Sequence, residues 1–129
     1  MSVALDHFIV SSRNRVEAAR LLAGLLGVPW EPSVFDRFSA VYLNDGLTLD
    51  FIETTEAFPV EHFCFRVSEQ EFDAILARLQ AAGIPYRSRV FGPVDSQVDT
   101  SYGGRGVYWN HPEGHQWEML TVSYARQAH

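Results

Sequence analysis

Apolar and polar positions first alternate along this chain, then recur at helical spacing, and then alternate again. In Leu5-Asp6-His7-Phe8-Ile9-Val10, His7 and Ile9 share one side of an extended segment and Phe8 and Val10 the other, which is the two-residue period of a strand. Ser11, Ser12 and Asn14 are helix-start residues, and Val16, Ala19, Leu22, Ala23 and Leu26 form one apolar stripe. Gly27 and Pro29 end that helix. Three strands are predicted next, over 30–35, 38–43 and 47–53, with Asn44-Asp45-Gly46 as a hairpin turn. Pro32 weakens the first of them, because proline cannot donate to a ladder.

After a linker over 54–59 the order restarts. His62-Phe63-Cys64-Phe65-Arg66-Val67 is predicted as a strand, and Ser68 with Glu71 makes a capping box. Phe72, Ile75, Leu76 and Leu79 give the helix stripe, which ends near Gly83. A strand over 86–91, a polar loop over 92–103, and a hairpin over 105–110 and 115–122 complete the chain. The pattern is therefore two βαβββ modules, about 3–54 and 60–123, in a single domain spanning 1–129, an α+β fold. Gly46 to Ile52 echoes Gly114 to Leu120 and sets Asp50 opposite Glu118. Val41-Tyr42-Leu43-Asn44 echoes Val107-Tyr108-Trp109-Asn110. His7-Phe8 and His62-Phe63 open the two modules alike.

The 129 residues are 47% hydrophobic, enough for a sizeable core. A net charge of −6 and the lack of any basic run argue against a nucleic-acid partner. The one cysteine, Cys64, excludes an intrachain disulfide. No leader-like start and no long apolar run is present, so the expectation is a cytoplasmic protein without a membrane partner.

Glu118 lies between Trp117 and Met119 in an apolar strand, where a carboxylate needs a cation, a hydrogen-bond cage or water. The repeat brings His7 and His62, from the first strand of each module, toward Asp50 and Glu118, from the last. Two imidazoles and a carboxylate on one face suit a divalent transition metal, non-haem Fe(II) and Zn among them. Asp50 is a possible fourth ligand or base, or a hydrogen-bonded strand residue. Tyr108 is either a catalytic donor or a rim tyrosine. Arg66 either binds a substrate carboxylate or is solvated. His115 is expected as a turn or supporting residue, His111 as exposed, and Cys64 as buried and inert.

Leu5-Asp6-His7-Phe8, His62 to Val67 and Val107 to Glu118 together resemble the vicinal oxygen chelate superfamily. That group includes glyoxalase I, extradiol dioxygenases, fosfomycin-resistance enzymes and bleomycin-resistance proteins. The likeness runs from residue 5 to about 122, with Asn110-His111 where an aspartate is more usual. It implies paired βαβββ modules in a curved mixed sheet cup, a homodimer, and a divalent ion (Fe, Mn, Ni, Zn or Mg) on His7, His62 and Glu118. Asp50 matches a glyoxalase I ligand position, and Tyr108 matches a tyrosine that extradiol dioxygenases use near the metal. Those dioxygenases also need a histidine where this chain has Asp50, so lyase or isomerase chemistry on a small substrate with vicinal oxygens is expected ahead of ring cleavage. Metal-free drug sequestration of the bleomycin-resistance type is the alternative, with Trp30, Trp109 and Trp117 either lining its cleft or, as the commoner role, filling the core.

Overall fold

A computed structural model describes residues 3–125 of the chain. Two compact units follow each other, 1–59 and 60–129. Each is a βαβββ module with a mixed four-stranded sheet. Among the described residues no helix is long and apolar enough to cross a membrane.

The first unit comprises β1 (His7–Ser12), α1 (Arg15–Leu26), β2 (Trp30–Val34), β3 (Phe38–Asn44) and β4 (Leu47–Glu53), with sheet order β1-β4-β3-β2. β1 runs parallel to β4, which the α1 crossover makes possible. Asn14 caps α1 by accepting from the Glu17 amide at 3.2 Å, and Gly27 closes it in the left-handed region at φ 73°. The helix lies on one face of the sheet, where Ala19, Leu22 and Ala23 and the strand residues Val10, Val41, Leu49 and Phe51 are buried. The opposite face carries His7, Ile9 and Asp50.

The second unit repeats the plan: β5 (His62–Arg66), α2 (Glu69–Ala81), β6 (Tyr86–Arg87), β7 (Gly106–Asn110) and β8 (Gln116–Leu120), in the order β5-β8-β7-β6. The expected capping box is present, since Ser68 Oγ accepts from the Glu71 amide and the Ser68 amide donates to Glu71 Oε1. Phe72, Ile75 and Leu79 of α2 are buried, as are Val107, Trp109, Trp117 and Met119 of the strands. Arg105 donates to Glu69 and Asp73 at 2.8 Å each and lies over the Phe72 ring, which ties the entry of β7 to α2.

Two expectations change. The strand foreseen over 86–91 ends at Arg87, because the Ser88 amide and hydroxyl turn to Asp95 and the Arg87 guanidinium takes the Val90 carbonyl. The match of Tyr42 with Tyr108 is also out of step by two residues. Asp50 registers with Ala40, whereas Glu118 registers with Tyr108, so Ala40 is the structural counterpart of Tyr108. The longer 111–115 turn accounts for this, together with an irregularity between Tyr42 and Asn44.

Candidate metal and substrate site

In β8 the odd residues Trp117 and Met119 face the core, so Glu118 points from the other side of the sheet. Its neighbours in register are Cys64 on β5 and Tyr108 on β7, and the three side chains form one row across the sheet. Glu118 is only 1% exposed. His62, two residues ahead of Cys64 on the same face of β5, places Nε2 3.0 Å from Glu118 Oε1. The other carboxylate oxygen, Oε2, accepts a 2.6 Å hydrogen bond from the hydroxyl of Tyr124. The hydroxyl of Tyr108 lies 3.4 Å from that of Tyr124. Burial is the first cause holding the Tyr108 phenol above its ordinary pKa, so it stays a protonated donor.

A cavity of about 690 Å³ opens over this row, lined by His62, Cys64, Arg66, Glu118, Leu120 and Tyr124, among others. That volume falls in the range of small-molecule sites. Arg66 continues the His62–Cys64 face of β5, so three of the expected residues, His62, Glu118 and the cation Arg66, lie on a single cavity wall.

The first unit repeats half of this arrangement. His7 registers with Thr48, two residues before Asp50, as His62 registers with Gln116, two before Glu118. The histidine nevertheless chooses a different acceptor, and His7 Nδ1 pairs with Asp6 Oδ2 at 2.7 Å. That hydrogen bond raises the His7 pKa. Asp50 is half-buried, and burial pushes its carboxyl up while the nearby His7 pulls it down.

Two further expectations are corrected. Cys64 is exposed, not buried, because the odd-even alternation of β5 puts it beside His62. Its thiol is pushed up to about 12, by desolvation first and by the Glu118 charge second, so it is a poor nucleophile for a reason other than burial in a core. His111 is buried, not exposed; the 111–115 turn folds back, so that its Nδ1 accepts from the Glu113 amide and its ring packs edge-on to Trp117. Trp109 and Trp117, 1% exposed on the face opposite Glu118, take the core role and do not line the cavity. His115 is a supporting residue as expected: buried, it accepts from the Glu61 amide through Nδ1. Tyr124 had no sequence signal at all, since it follows the last strand and belongs to no period.

Among the described residues no group of three or more His, Cys, Asp or Glu side chains is gathered to hold a metal ion, and His62 with Glu118 is a pair of candidate donors. A buried carboxylate whose ion-pair partner among the described residues is an imidazole alone, with no lysine or arginine, is short of positive charge. The 3.0 Å between Nε2 and Oε1 is also what two donors at about 2.1 Å from one ion and at right angles would show. His62 and Glu118 both belong to the second unit, and the further candidate His7 to the first.

Fold and site define a member of the vicinal oxygen chelate superfamily, and the chain belongs to it. It is similar to oxidase ChaP-H2, with 34% identity, coverage of 99% of this chain and 100% of that one, and a TM-score of 0.91. It is equally similar to oxidase ChaP-H1, at 34% identity over 97% and 100%, with a TM-score of 0.90. A lactoylglutathione lyase from Agrobacterium tumefaciens shares the fold at 16% identity, over 93% and 94%, with a TM-score of 0.67. No family model and no curated protein matches the chain.

Proposed function

We propose that this chain is a metal-dependent enzyme that oxidises a small molecule carrying two neighbouring oxygens, with dioxygen as the electron acceptor and both units acting as one domain. The observation that carries this reading is the buried Glu118 carboxylate paired with His62 on the wall of a cavity of about 690 Å³. His7, His62 and Glu118 would hold the ion, with Fe first among Fe, Mn, Ni, Zn and Mg. When bound, that ion polarises the substrate's oxygens and, as iron, exchanges single electrons. The similarity to two oxidases at 34% identity moves oxidation ahead of lyase or isomerase chemistry.

The chain's own groups supply the rest. Tyr108 keeps its proton and offers a hydrogen bond toward an oxyanion developing above Glu118. Arg66 meets a carboxylate or a second anionic oxygen at the open end of the cavity. Asp50, whose carboxyl is raised by burial, is the candidate proton acceptor, since both Glu118 oxygens are engaged. Leu120 and Tyr124 provide apolar surface for a flat substrate and exclude water from the carboxylate. A cytoplasmic homodimer remains the expected setting.

The test is oxygen uptake by Fe(II)-loaded protein supplied with ortho-dihydroxyaromatic compounds. Uptake that disappears in His62→Ala supports the reading, and its absence across such a panel contradicts it. The raised Asp50 carboxyl favours a second reading, proton transfer without oxygen. Solvent deuterium entering a substrate next to a carbonyl under anaerobic conditions would favour that lyase or isomerase route. Metal-free sequestration loses support, since Trp109 and Trp117 face away from the cavity.

A further inference from the structure

Tyr124 occupies a place that neither the repeat nor the last strand accounts for. The chain leaves β8 at Leu120, and four residues later the Tyr124 ring lies over the site. Its hydroxyl gives a 2.6 Å hydrogen bond to Glu118 Oε2. Its ring centroid lies 4.9 Å from that of Tyr102, in the loop before β7. Tyr102 and Tyr124 also line, with Tyr108 and Glu118, a small cavity of about 10 Å³, the size of a single water at most. The Tyr124 hydroxyl is therefore held from two sides: the ring is fixed by Tyr102, and the oxygen is placed between Glu118 and Tyr108.

We propose that Tyr124 is a positioning residue that divides the labour of the Glu118 carboxylate, engaging Oε2 so that Oε1, beside His62, is the oxygen offered to a divalent ion. This rests on the reading of His62 and Glu118 as ligands. A glutamate side chain has three rotatable bonds, and an unrestrained carboxylate offers either oxygen or both. The Tyr124 hydrogen bond removes that freedom before any ion arrives. Partners of this kind raise metal affinity by orienting the ligand, and their loss weakens binding by roughly 10- to 100-fold. Tyr102 contributes indirectly by fixing the ring that carries the hydroxyl.

The experiment is calorimetric titration of metal-free protein with Mn(II), comparing the wild type, Tyr124→Phe and Glu118→Gln, with a melting curve of each. Tyr124→Phe keeps the ring on Tyr102 and removes only the hydroxyl. The expected result is Mn(II) binding weakened roughly 10- to 100-fold in a variant that still melts cooperatively, at a somewhat lower temperature because Glu118 Oε2 loses its donor, and a changed visible spectrum of the Co(II)-loaded protein as the carboxylate binding mode alters. Tyr124→Phe with wild-type Mn(II) affinity and an unaltered Co(II) spectrum, alongside a Glu118→Gln that has lost binding, overturns this inference and leaves the ligand reading intact. Wild-type affinity in Glu118→Gln, or no Mn(II) binding by the wild type, overturns the ligand reading and this inference with it. If Tyr124→Phe fails to fold, Tyr102→Leu, which loosens the ring but spares the hydroxyl, is expected to weaken Mn(II) binding in the same direction, and unchanged affinity in it contradicts the proposal.

Discussion

His62 and His7 stand at equivalent positions of the two modules yet choose different carboxylates. His62 reaches across from β5 to Glu118 on β8 at 3.0 Å, whereas His7 turns to its own neighbour Asp6 at 2.7 Å. The difference follows from the partner two residues along the last strand. Glu118 is one carbon longer than Asp50 and fully buried, while Asp50 is half-buried and His7 is exposed. The second module therefore holds a preformed imidazole–carboxylate pair, and the first holds an imidazole parked on an exposed aspartate that it can leave at little cost.

The Glu118 carboxylate is costly to the metal-free fold. Its ion-pair partner is an imidazole, and its remaining partners, among them Tyr124 and Cys64, are neutral. Glu118→Gln keeps an acceptor for Tyr124 and a donor for His62 while removing the buried charge. Metal-free Glu118→Gln is expected to be more stable than the wild type by about 1 kcal/mol, or roughly 3–5 °C in Tm. Thermal melts of both proteins in chelator check this; a variant several degrees less stable contradicts it.

Cys64 is exposed but its thiol is held up to about 12. At pH 8 the thiolate fraction is then about a thousandfold below that of a free thiol near 8.5. Alkylation of metal-free protein by iodoacetamide at pH 8 is expected to be at least about tenfold slower than that of a small thiol. It should quicken in Glu118→Gln, which removes the second cause of the shift. A wild-type rate equal to that of the small thiol would contradict the placement of Cys64 beside Glu118.

Burial lowers the pKa of His111 from 6.5, with the Glu113 charge opposing and His115 adding. The unfolded chain therefore binds this proton before the folded one does. The contribution to stability is complete above 6.5 and is lost as pH falls from there through the folded-state value. His111→Asn retains a side-chain acceptor for the Glu113 amide, as asparagine does in turns of this kind. The expected outcome is a shallower loss of Tm between pH 7 and pH 5 in His111→Asn than in the wild type. Parallel Tm-against-pH curves contradict it.

Much of this arrangement was legible in the residues because it follows from period and repetition. Glu118 stood out as a charge inside an apolar strand, and His62 as the second copy of a His-Phe strand opening. The capping box at Ser68 and the stop at Gly27 are local chemistry, and both helices follow them. What escaped depends on contacts distant in sequence or on the conformation of a turn. Tyr124 lies beyond the last periodic segment, and only its hydrogen bond to Glu118 marks it. His111 looked like an exposed turn residue until the 111–115 turn folded it onto Trp117. The Tyr42–Tyr108 echo misled because similar letters fell on different rungs once the hairpins differed in length. Cys64 was readable by parity with His62, but a lone cysteine's habit of burial outweighed that signal.

The proposal on which the functional reading rests is that His62 and Glu118 are ligands of a divalent ion, with His7 as the further candidate. Its most direct test is the metal content of protein purified without chelator and reloaded with Fe(II) under anaerobic conditions, for the wild type and for His7→Ala, His62→Ala and Glu118→Ala. One ion per chain in the wild type, and loss of most of it in every variant that still folds, is the predicted result. Equal metal in the wild type and in Glu118→Ala, or a His7→Ala variant that binds as the wild type does, would contradict it.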